Sequence, residues 1–96
     1  MLRVLACCLV LAGCAATPPP LVTPADAERG HLPIAELQQG RDLLVGKCGG
    51  CHDVPLPDQQ PRAAWPEKVG AMVQRSGIAP AQRQLIEQYL IAMDPR

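Results

Sequence analysis

The stretch Gly40-Arg41-Asp42-Leu43-Leu44-Val45-Gly46-Lys47-Cys48-Gly49-Gly50-Cys51-His52 decides how the rest of the chain is read. Its first part belongs to a helical pattern that opens at Pro33. Ile34, Leu37, Leu44 and Cys48 fall on one face at spacings of three, seven and four, the repeat of an amphipathic helix. Pro33 suits the first helical position, because its fixed φ is already helical and its missing N–H would have no partner there. The helix is expected to run to about Lys47. Gly40 lies on its apolar face, and a glycine in mid-helix is tolerated best where a second backbone comes close.

The helix delivers Cys48, and the next four residues complete a C-x-x-C-H. Two thiols three positions apart can each add to one of the two vinyl groups on a porphyrin edge, forming thioethers. The histidine that follows then lies under the ring and can give an imidazole nitrogen to the iron. Gly49 and Gly50 add no bulk between the thiols. Cys48 and Cys51 are therefore the candidate covalent ligands of one haem c, and His52 the candidate proximal ligand. Other uses of the motif fit less well. A C-x-x-C redox pair expects a βαβ context, and the pattern contains no strand. Structural zinc wants four ligands. A disulfide closing so small a loop contributes little.

Beyond the motif, Asp53 to Ala64 reads as irregular, with Pro55, Pro57 and Pro61. A backbone carbonyl from one of these three is a candidate to bond the second nitrogen of His52 and fix the ring. Arg62 and Trp65 are candidates to reach the haem propionates, Arg62 through a charge-assisted bond. A second helix is expected from Pro66 to about Arg75, with Trp65, Val69, Met72 and Val73 on one face and Ser76-Gly77 as its end. A third is expected from Pro80 to Met93. There Gln82, Leu85, Ile86, Tyr89, Leu90 and Met93 form a stripe that Asp94-Pro95 stops. The expected fold class is all-α: about three helices wrapped around one covalent haem, spanning 34–96.

Before the first helix, Met1-Leu2-Arg3 is a short positive start, Val4 to Leu11 an apolar run containing Cys7 and Cys8, and Ala12-Gly13 a pair of small residues. This is the layout of a secretory signal, with an apolar run too short to span a bilayer. Leu11-Ala12-Gly13-Cys14 resembles the lipobox of bacterial lipoproteins. That resemblance implies a signal peptide over 1–13, acylation of the Cys14 thiol and an anchor in a membrane. An ordinary signal cut near Ala15 or Ala16 and a core helix are the other readings. Ala15 is not the Asp that retains many lipoproteins at the inner membrane, so the outer membrane is favoured, on its periplasmic side. Residues 14–33 hold Pro18, Pro19, Pro20 and Pro24 and read as an extended, semi-rigid tether.

Composition agrees. With nine Lys+Arg against nine Asp+Glu the formal net charge is zero, and no basic patch offers itself to nucleic acid. One Trp, one Tyr and no Phe leave a small domain short of the rings that usually fill a core. A haem would supply that mass.

The segment from Leu37 to Met93 resembles the cytochrome c domain family. Gly40, Leu44 and Cys48 match the family's N-terminal helix, although Leu44 stands where the family usually has an aromatic. Tyr89 sits where the family's C-terminal helix carries an aromatic that packs on the glycine. Trp65, Val69 and Met72 look like a W-x3-V-x2-M pattern of short monohaem members. The resemblance implies haem attached outside the cytoplasm and electron transfer between redox partner proteins, with no catalytic residue and no small-molecule substrate. A haem subunit or docking partner of an exported oxidoreductase, and a haem-based ligand sensor, are the alternatives. The family usually presents its distal methionine ahead of the last helix, which makes Met72 the first candidate. Met93, His31 and an open position remain.

Overall fold

The computed structural model describes residues 17–48 and 54–95. Among these, the chain is all-helical: α1 over Pro24–Gly30, α2 over Ile34–Cys48, α3 over Trp65–Ser76 and α4 over Pro80–Ala92. Two short 3-10 turns, Pro57–Gln59 and Arg62–Ala64, lie between α2 and α3. Local chemistry sets the ends. The Pro33 carbonyl accepts from Glu36 and Leu37 N–H and opens α2. Pro66 and Pro80 stand in the first turns of α3 and α4, where a missing N–H costs nothing. Gln82 Oε1 accepts the Ala79 N–H at 3.3 Å. Gly77, at φ 64°, ends α3 in the left-handed conformation that glycine adopts without a Cβ clash, with its N–H on the Val73 carbonyl at 3.2 Å.

The core lies between α2, α3 and α4, with α4 in the middle. Leu37 and Leu44 of α2, Trp65 and Val69 of α3, and Ile86, Tyr89 and Leu90 of α4 are buried, joined by Ile78 and Met93. The closest approach is at Gly40. A Cβ built there would collide with the Leu85 carbonyl oxygen and stand 2.9 Å from both the Leu85 carbonyl carbon and Tyr89 Cβ. The backbones of α2 and α4 therefore meet directly at Gly40. Farther along, a Cβ on Gly30 would touch the Ala92 side chain at 3.4 Å, so α4 ends beside the start of α2 and the two run antiparallel.

The structure differs from the sequence reading at the N-terminal side. Residues 17–33 are not simply an extended tether: a helix, α1, forms there ahead of the three expected over 34–96. Thr23 caps α1: its Oγ1 accepts the Asp26 N–H at 3.3 Å, and its own N–H donates to Asp26 Oδ2 at 2.8 Å. That second bond holds the Asp26 carboxyl below its usual value, aided by Arg29 at 2.7 Å. The helix packs on α2 and α4. Ahead of it, Pro19 is buried. The Arg41 guanidinium donates to the Pro19 and Pro20 carbonyls at 3.1 and 3.2 Å, and Tyr89 Oη donates to the Pro20 carbonyl at 2.6 Å. Prolines lack the N–H but keep the carbonyl, and here those carbonyls are the docking points.

Burial pushes the Tyr89 phenol up to about 12, with Arg41 pulling weakly the other way. The folded protein thus holds the neutral phenol across a range in which an unfolded chain, at its ordinary value of 10.0, has ionised. This contribution to stability is intact below pH 10 and fades as the pH rises towards 12. Tyr89 is the sole tyrosine. Phenolate absorbance should rise only near pH 12 in the folded protein, and the alkaline loss of stability should flatten in Tyr89→Phe. A titration midpoint near the ordinary tyrosine value would refute the burial argument.

Candidate functional site

Helix α2 carries Cys48 to its last position and buries it, 7% exposed, in the apolar cluster with Leu44, Trp65, Val69, Ile78 and Ile86. Desolvation raises the thiol above its ordinary value. A buried, protonated thiol of this kind is a poor nucleophile at neutral pH. Cys51 and His52 lie outside the described residues, as does Cys14. Among the described residues no three His, Cys, Asp or Glu side chains converge as a metal site, and no helix is long and apolar enough to cross a membrane.

Met72 stands in the middle of α3, half-buried and packed against the cluster that contains Cys48. Leu43, Val54 and Val73 flank that cluster in the same half-covered way. Of the other two candidates for a distal ligand, Met93 shares that cluster and His31 does not. His31 is exposed and caps α1 at φ 52°, ahead of α2. Cys48 is at the opposite end of α2, so about 21 Å of helix rise separates the two regions. Met93 is buried just past the end of α4 and belongs to the same apolar cluster as Cys48.

Trp65 is buried, and its Nε1–H donates to the Pro57 carbonyl at 3.3 Å. Its one donor is used within the protein, so this geometry does not offer it to a propionate. Arg62 is half-exposed and reaches the C-terminal end of α4, donating to the Asp94 carbonyl at 3.2 Å and standing 3.6 Å from the Asp94 carboxylate. Asp94 is 2% exposed and needs such a partner. Sequence reasoning missed this pair, whose members are 32 positions apart. Of the three proline carbonyls after the motif, Pro57 is engaged by Trp65 and Pro61 by the Ala64 N–H at 2.9 Å. A carbonyl oxygen can accept twice, so Pro55, Pro57 and Pro61 all remain candidates for orienting His52.

Leu43, Val54, Met72 and Val73 are apolar and only partly covered where they pack against the cluster that holds Cys48, which is the chemistry an apolar group bonded at Cys48 would need beside it. No protein-family model matches the chain, and no curated protein or solved structure matches it.

Proposed function

We propose that this chain is an electron carrier of the cytochrome c kind, holding one covalent haem and anchored to a membrane through lipid on Cys14. The observation that carries the reading is the setting of Cys48. The first cysteine of a C-x-x-C-H is buried at the end of a helix, with a methionine on a neighbouring helix packed against the same apolar cluster. Cys48 and Cys51 would hold the porphyrin, His52 would bind the iron on one side and Met72 on the other. The haem supplies an iron that cycles between two oxidation states. The protein's own part is to keep water from the ring with Leu43, Val54 and Val73, and to steady His52 through the carbonyl of Pro55, Pro57 or Pro61. A methionine ligand with a histidine raises the potential relative to two histidines.

The test is covalent haem in the denatured protein. One haem per chain should survive extraction with acidified organic solvent, and Cys48→Ala should impair its attachment. In the oxidised holoprotein the weak iron–sulfur charge-transfer band should vanish in Met72→Ala while Met93→Ala retains it. Complete loss of haem to the solvent from the wild type would overturn the reading, and an unchanged band in Met72→Ala would remove Met72 from the iron.

A further inference from the structure

Taking the Cys14 anchor from the reading above, we propose that residues 17–33 are a strap rather than a spacer, and that it holds the domain against the membrane. The strap is fixed at several points from both halves of the core. Arg41 of α2 binds the Pro19 and Pro20 carbonyls, and Tyr89 of α4 binds the Pro20 carbonyl from the other side. Val22 packs against the core cluster. Helix α1 lies on α2 and α4, with Arg29 bonded to the Ala92 carbonyl at 3.5 Å.

Docking changes the reach of the anchor. From Cys14 to Pro33 a free chain of nineteen steps extends to about 63–68 Å. With residues from Thr17 onward docked, only three steps remain, about 10 Å. A domain on the longer lead could meet freely diffusing partners well above the lipid. On the shorter lead it stays at the surface.

The short lead also sets an orientation. Thr17 and Pro18 line a cavity of about 720 Å³ whose other walls include Leu56, Pro57 and Pro95. The wall formed by Leu56, Pro57 and Pro95 therefore lies on the side where the strap enters, and that side faces the bilayer.

The test uses the full lipidated holoprotein in nanodiscs. Amide exchange should show His31 and Leu32, whose N–H groups bond to Glu28 and Ala27 carbonyls, protected in the wild type. The pair of changes Arg41→Ala and Tyr89→Phe, which keeps the ring, should accelerate exchange there about ten-fold or more. Neutron reflectometry on a supported bilayer should place the wild-type protein layer within about 10 Å of the headgroups, and the double variant should widen that gap. Unprotected amides at 27–32 in the wild type would overturn the strap while leaving the anchor standing. A protected strap on a chain whose mature N-terminus carries no lipid would instead defeat the anchor, and with it the membrane contact. Protection with a wide water gap would also overturn the proposal.

Discussion

Gly40→Ala should destabilise the domain by about 3 kcal/mol, at the upper end of the usual cost of overpacking. The added methyl would meet the Leu85 carbonyl and the base of Tyr89, and neither is the free end of a flexible side chain. To admit it, α2 and α4 must separate along their whole contact, which also loosens Leu37, Leu44, Ile86 and Leu90, all fully buried. Gly46 on the same helix is the control. A Cβ there meets nothing within 4 Å, so Gly46→Ala should stabilise the protein by about 0.5–1 kcal/mol through helix propensity alone. Urea denaturation midpoints measure both. Equal effects at the two glycines would refute the backbone contact.

Trp65→Ala should cost about 3–5 kcal/mol. Trp65 is 2% exposed, opens α3 and ties the 3-10 turn at Pro57 to that helix through its indole N–H. In a small domain, where total stability is on the order of 5 kcal/mol, such a loss leaves little folded protein at physiological temperature. Trp65→Phe keeps most of the buried ring and loses the bond, so about 1–2 kcal/mol is expected, largely from stranding the Pro57 carbonyl. If both variants lost the same amount, the bond and not the ring would dominate, contrary to the packing described.

The helices were legible because their boundary signals are local. Pro33, Pro66 and Pro80 lie within a residue of the starts of α2, α3 and α4, and Gly77 follows the end of α3. That Gly40 meets a close neighbour was legible too, since a glycine on an apolar face asks for one, while only the family resemblance pointed to Tyr89. The docked strap was not. A proline-rich stretch reads as extended by its own propensities, and what folds it back is an arginine about 21 positions away and a tyrosine 69 positions away. One local signal was present: Thr23-Pro24-Ala25-Asp26 is a capping box, which announces a helix start. The partners of Arg62 and Trp65 were hidden for the same reason as the strap. Sequence shows that a donor exists, while the chain path decides which acceptor reaches it.

The central place of α4 has a bearing on the order in which the protein can be made. The Tyr89 bond to Pro20 spans 69 positions, the Arg62 bond to Asp94 spans 32, and Gly40 waits for Leu85. Both α2 and α3 therefore lack their principal neighbour until α4 reaches them. A chain without α4 has strap, α2 and α3 but little to close them against, and contacts of such long sequence separation form slowly. Until then the cluster around Cys48 is missing Ile86, Tyr89, Leu90 and Met93. Cys48 is thus enclosed only when α4 docks, and the docking of Pro80–Ala92 sets how long its thiol stays reachable.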